Sequence, residues 1–220
     1  LRQYGLPLLI LAMGALYIFF IPSDPLAVKL LFKLIPMWLI LLYGYLHTSG
    51  RPSRDQWLLL IGLFFCMLGD GLLHWFVVGL SAFLIGHLFY AASFLTRWRF
   101  SAARLAAVAP IAAYAAWIGS HLIDALSRDG REALIVPVLL YIAVIAAMAF
   151  TAVMTGQRKA IFGSLLFLAS DSILSWNMFV SDIAYAGPLI MITYYAAQFL
   201  LAGSLRGGQS NLRPTGTSPR

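Results

Sequence analysis

Two carboxylates, Asp70 and Asp171, stand deep inside long apolar runs, where a charged side chain costs about 2.5–3.5 kcal/mol at the centre of a membrane helix. A cost of that size implies a use. Two carboxyl groups in one low-dielectric site cannot ionise equally, so one is held as an acid while the other carries charge, which is what general acid–base chemistry requires. Small neighbours, Gly69 and Gly71 around the first and Ser170 and Ser172 around the second, leave room for close helix packing or for a ligand. Other polar residues share this depth. His87 has Tyr90 three residues later on the same helical face, and Tyr194, Tyr195 and Gln198 form a third group. Lys33 lies one turn deeper than Lys29, and can snorkel to the interface, pair with an inner carboxylate or meet a substrate phosphate. His74 and the tryptophans Trp75 and Trp176 read as interfacial, whereas Asp24, Asp55, Asp124, Asp129, Glu132 and Asp182 read as solvated. The chain has no H-E-x-x-H, no G-x-S-x-G and no P-loop. Of its histidines only His74 and His87 share a depth, so no metal site is expected.

The elements that carry these residues follow from composition. The 220 residues are 61% hydrophobic and 10% charged, far from the ~25% charged of soluble domains. That excludes a soluble enzyme and a disordered chain. Unbroken apolar runs exclude an outer-membrane barrel, whose strands alternate residue by residue. Cys66 is the single cysteine, so no intrachain disulfide forms. The expected fold is all-α: a polytopic membrane protein of eight helices, at about 6–21, 27–46, 57–75, 78–95, 102–118, 134–154, 161–180 and 184–205. The first lacks a small-residue cleavage pattern and reads as a retained helix rather than a signal peptide. With eight spans only Lys29, Lys33, Arg128 and Arg131 fall on one side, while the remaining Lys and Arg residues fall on the other. The positive-inside rule then puts both termini in the cytoplasm. Residues 1–206 form one membrane domain, and 207–220, rich in Gly, Ser, Pro and Arg, read as a disordered cytoplasmic tail. The scattered basic residues form no stripe, so a nucleic-acid partner is not expected.

The chain also resembles itself. Aligning the third span with the seventh puts Asp70 on Asp171, Gly62 on Gly163, Leu73 on Leu174 and Trp75 on Trp176. In the fourth and eighth spans Tyr90-Ala-Ala-Ser-Phe-Leu95 pairs with Tyr195-Ala-Ala-Gln-Phe-Leu200, and Leu34-Ile-Pro36 resembles Ile135-Val-Pro137. A four-plus-four parallel repeat, 1–100 and 101–206, would set the two aspartates at similar depth on opposite sides of an axis along the membrane normal, facing each other.

Lys33-Leu-Ile-Pro36, Gly69-Asp70, His87-Leu-Phe-Tyr90, Ser170-Asp171 and Thr193-Tyr-Tyr-Ala-Ala-Gln198, in this order, resemble the lysoplasmalogenase family of eight-helix membrane proteins, also called YhhN-like. The resemblance runs from about Lys29 to Ser204. It implies hydrolysis of the vinyl ether bond of lysoplasmalogens, giving a fatty aldehyde and glycerophosphoethanolamine or glycerophosphocholine, with no cofactor. It also implies a lysophospholipid substrate within membrane lipids. A vinyl ether is cleaved by protonating its β-carbon, passing through an oxocarbenium ion and adding water, which needs an acid and an anion. By analogy with glycoside hydrolysis, Asp70 and Asp171 would be the catalytic pair, with their two roles open. Lys33, His87, Tyr90, Tyr194, Tyr195 and Gln198 would position substrate and water. A proton-coupled transporter and a non-catalytic lipid-binding protein are the rival readings. Head-group preference and oligomeric state stay open.

Overall fold

The structure, a computed structural model, describes residues 2–48 and 50–205. Among them the chain is helical throughout: α1 (Arg2–Phe19), α2 (Leu26–Leu46), α3 (Arg54–Leu72), α4 (Phe76–Thr96), α5 (Ala102–Leu105), α6 (Val108–Arg128), a 3₁₀ turn (Glu132–Leu134), α7 (Ile135–Thr155), α8 (Arg158–Phe179) and α9 (Ala186–Gly203). Seven of these stretches, with α5 and α6 taken together, are long and apolar enough to cross a bilayer. The first helix is apolar but shorter, over Tyr4–Phe19, and packs against α2 and α9. The protein is an integral, multi-pass membrane protein. The expected tail, 207–220, lies outside the described residues.

Local chemistry sets the helix ends. Gln56 Oε1 accepts the Ser53 backbone N–H at 2.9 Å, half of a capping box at the start of α3. Pro110, Pro137 and Pro188 all stand in the first turns of α6, α7 and α9, where the missing N–H has no partner to lose. Gly156 closes α7 at φ 69°, a left-handed position that an L side chain resists. Pro36 lies inside α2, and beside this break in the ladder the Tyr195 hydroxyl donates to the Lys33 carbonyl at 2.8 Å. The fifth expected span differs from the structure. A break at Ala106 and Ala107 splits it, and α6 continues to Arg128 rather than ending near Ile118, because its polar residues beyond Gly119 occupy the exposed side.

Within the bundle α3 packs most closely on α4, and α8 on α9; α4 lies against α7, as α9 lies against α2. The relations α1 to α2, α2 to α3 and α3 to α4 thus recur as α6 to α7, α7 to α8 and α8 to α9, compatible with the four-plus-four repeat. Glycines mark the equivalent crossings. A Cβ on Gly62 would lie 2.5 Å from the Tyr90 ring and 2.9 Å from the Gly86 carbonyl, and one on Gly163 2.9 Å from Leu201 and 3.1 Å from the Ala197 carbonyl. These crossings match Gly86 with Ala197 and His87 with Gln198. The motif pairing of Tyr90 with Tyr195 is therefore displaced by more than a turn, since α8 and its connection to α9 are longer than their counterparts after α3.

Where α4, α7 and α9 end, side chains from three helices satisfy the last carbonyls of the bundle. Lys159 Nζ donates to Gly203 O at 3.3 Å, Arg97 Nη1 to Ser204 O at 3.4 Å and Gln56 Nε2 to Leu205 O at 3.2 Å. Arg97 Nε also pairs with Asp55 Oδ2 at 2.8 Å, so Asp55 is not simply solvated; burial of the guanidinium between α3 and α4 gives it a partner. Apolar side chains such as Leu11, Leu31, Trp38 and Phe162 cover the outside, as a lipid-facing surface requires.

Candidate active site

Asp70 ends the inner face of α3 with only 4% of its surface exposed. Lys33 reaches it from α2, with Nζ 3.1 Å from Oδ1 and 3.3 Å from the Asp70 carbonyl. Of the roles open to Lys33, the structure shows the pairing of its ammonium with the inner carboxylate. A Cβ at Gly69 would stand 2.7 Å from the Phe83 ring, so the glycine lets α4 close over the carboxylate. The second oxygen, Oδ2, has no hydrogen-bond partner among the described residues. The Tyr194 hydroxyl, which donates at 3.4 Å to the Cys66 carbonyl, lies near the carboxyl group. Tyr17 packs edge-on against Tyr195 at 6.2 Å, adding α1 to this side of the site.

Asp171 takes a different partner: its Oδ2 accepts a hydrogen bond from the Tyr141 hydroxyl on α7. Next to it the Tyr114 hydroxyl donates to Ser172 Oγ at 2.8 Å, and Ser170 Oγ donates to Ile190 O at 3.0 Å. The two aspartates make no hydrogen bond to each other, and each is held by a partner of its own, Lys33 for Asp70 and Tyr141 for Asp171.

Between them lies a polar centre. The Tyr90 hydroxyl donates to Gln198 Oε1 at 2.6 Å, with the Cys66 thiol against both side chains. His87 packs edge-on against Phe167 at 4.4 Å and Tyr141 at 5.4 Å. Its Nδ1 lies 2.6 Å from the Phe83 carbonyl, which needs a donor there, so the neutral ring offers Nε2 as an acceptor. His87 Nε2 and Gln198 Nε2 are wholly buried and lack partners among the described residues. One acceptor on α4 and one donor on α9 are thus left over, at a centre flanked by two carboxylates. Such a set can bind and orient a small polar group. A cavity of about 60 Å³ reaches Asp171 between α4, α6, α7 and α8, and Tyr141, Ser172 and Ser175 are its polar lining. It has room for a few water molecules.

All eight residues singled out in the sequence come together here, Lys33, Asp70, Tyr194 and Tyr195 on one side, His87, Tyr90 and Gln198 in the middle, and Asp171 beyond. Sequence reasoning missed Tyr141, Tyr114 and Tyr17. A phenol within the apolar run of α7 was the available signal. His74 is exposed and stacks edge-on with Trp75, in keeping with an interfacial place.

The model of the YhhN family matches residues 28–205. The chain belongs to this family. The YhhN match contains all eight candidate residues and leaves out α1. Curated relatives include the lysoplasmalogenase TMEM86B of Mus musculus, 31% identical over 87% of this chain and 82% of its own. The lysoplasmalogenase TMEM86A of Homo sapiens is 32% identical over 84% of this chain and 82% of its own. A lysoplasmalogenase of Mycobacterium tuberculosis is 31% identical over 74% of this chain and 64% of its own. No solved structure matches this YhhN protein.

Proposed function

We propose that the chain is a vinyl ether hydrolase, a lysoplasmalogenase that cleaves lysoplasmalogens to a fatty aldehyde and glycerophosphoethanolamine or glycerophosphocholine. The observation that carries the reading is the convergence of two carboxylates, Asp70 on α3 and Asp171 on α8, on the polar centre of His87, Tyr90 and Gln198: Asp171 through Tyr141, which packs on His87, and Asp70 beside Tyr194, which bonds to the Cys66 carbonyl. The names of the relatives support the substrate class. Asp70, ion-paired with Lys33, takes the anion's part, and Asp171, whose partner is a neutral phenol, the acid's. Asp171 gives its proton to the β-carbon of the vinyl ether, leaving an oxocarbenium ion at the α-carbon that Asp70 stabilises. Asp70 then takes a proton from the water that adds to that carbon. Asp70 returns its proton to the glycerol oxygen as the hemiacetal C–O bond breaks, Asp171 takes the proton of the hemiacetal hydroxyl, and the aldehyde forms with both carboxyl groups back in their starting states. His87, Gln198, Tyr90 and Tyr194 orient water and the reacting bond.

Purified protein in detergent, where no gradient exists, is expected to release aldehyde from lysoplasmenylethanolamine; a transporter or a lipid-binding protein would not. Turnover in D₂O with prompt trapping is expected to give aldehyde with one deuterium at the α-position, since carbon protonation must leave a solvent hydrogen there. Trapped aldehyde without deuterium would rule out this mechanism. Saturated alkyl-ether analogues are expected to inhibit competitively without being cleaved.

We also propose that both termini face the cytoplasm, an orientation supported by the distribution of basic residues. A reporter inserted near Ser53 and one fused at Arg220 are expected to label as cytoplasmic, and one near Asp129 as non-cytoplasmic. Labelling of the Ser53 and Asp129 sites from one side would contradict the crossing of α6.

A further inference from the structure

We infer that Lys29 holds the phosphate of the lysolipid substrate, a specificity-determining contact one helical turn outward from the reacting bond. The inference rests on the hydrolase reading above. Lys33 is engaged: its Nζ bonds both the carboxylate and the carbonyl of Asp70, and only 13% of its side chain is exposed. Lys29 lies four residues earlier on the same face of α2, nearer the end of the helix. It makes no ion pair among the described residues, and its Nζ meets only the hydroxyl of the exposed Ser23, at 3.2 Å. The other cations at this end of the bundle are differently occupied. Arg128 Nε donates to the Asp124 carbonyl at 3.1 Å, and the Arg131 guanidinium lies 5.0 Å over the Phe179 ring.

The spacing fits the substrate. Four residues of helix advance about 6 Å. In a lysoplasmalogen the ether oxygen is joined to phosphorus through three glycerol carbons and an ester oxygen, five bonds of ~1.5 Å that span a similar length when extended. With the vinyl ether beside Asp70, the phosphate reaches one turn outward, where Lys29 offers an ammonium. Its alkyl stem lies along apolar surface while its charge stays near the water. Because the phosphate is a fixed part of the substrate and not of the reacting bond, this contact acts on binding and leaves the chemical step alone.

The test compares two substrates in detergent, lysoplasmenylethanolamine and the phosphate-free 1-alkenylglycerol. Lys29→Gln is expected to raise KM for the phospholipid about 10-fold, the scale of one charge-assisted hydrogen bond. Its kcat should stay unchanged, as should both constants for the alkenylglycerol, and Lys29→Arg should restore the phospholipid KM. An unchanged phospholipid KM would mean that Lys29 only anchors the helix at the membrane surface, and an equal loss on both substrates would mean a structural role; either overturns the inference. Titration of a saturated alkyl-ether lysophosphatidylethanolamine into wild type and Lys29→Gln measures the same contact without turnover. About 10-fold weaker binding is expected, and equal binding overturns the inference. A wild type that binds this ligand but releases no aldehyde from lysoplasmenylethanolamine would sink the hydrolase reading alone.

Discussion

Asp70→Asn and Asp171→Asn are each expected to lower the rate of aldehyde release ~10²–10⁴-fold, the range typical of a lost general acid or base. Combining them should not multiply the defects, because residues that act as one unit are non-additive. The two variants should differ in stability. The amide oxygen introduced by Asp171→Asn can still accept the Tyr141 hydroxyl, so that substitution keeps its partner. Asp70→Asn leaves the Lys33 ammonium buried beside a neutral amide, a loss worth up to ~3–5 kcal/mol for a fully buried pair. Thermal unfolding in detergent should therefore show a lower Tm for Asp70→Asn alone, and adding Lys33→Met should recover part of it. Near-normal turnover in either single variant would remove the pair from the mechanism.

The second large effect concerns the α3–α4 crossing. Gly62→Ala would put a methyl group 2.5 Å from the Tyr90 ring and 2.9 Å from a backbone carbonyl. The ring is wholly buried and its hydroxyl is tied to Gln198, while the carbonyl belongs to a rigid helix. The helices must separate, at a cost of ~1–3 kcal/mol or more, and the Tyr90–Gln198 bond is displaced with them. A marked drop in Tm together with lost activity is the expected result. Gly71→Ala, on the same helix, meets nothing closer than Leu34 at 3.8 Å. It should unfold at or above the wild-type temperature, since Ala is the better helix former by up to ~1 kcal/mol. Equal effects of the two substitutions would show that the crossing is not tight.

Much of this arrangement was legible because of what a bilayer forbids. Polar residues in apolar runs are costly, so Asp70, Asp171, His87 and Gln198 stood out, and the alternation of spans and short connections gave the helical bundle. Partners across the bundle were less visible. Lys33 had three destinations, and only the packing of α2 on α3 selects Asp70. Asp55 looked like a residue at a helix end until Arg97 folded back over it. Tyr141 escaped because the alignment of the two halves sets it against Ile40, which carries no hydroxyl, and so gave no signal there. The Tyr-Ala-Ala pairing of α4 with α9 misled for a related reason: short motifs of common membrane residues match in more than one register, whereas a backbone crossing at a glycine has only one.

Both carboxylates find their partners on the helix immediately before their own, Lys33 of α2 with Asp70 of α3 and Tyr141 of α7 with Asp171 of α8. This order bears on how the chain enters the membrane during synthesis. Helices emerge in sequence, and an acidic residue arriving alone faces the ~2.5–3.5 kcal/mol cost of insertion. Here the partner is already in place when each aspartate arrives, so neither carboxylate has to wait for the opposite half to be made. Each acid can thus settle in the lipid with its partner beside it, and the polar centre that joins Tyr90 to Gln198 forms only when α9 packs into the bundle.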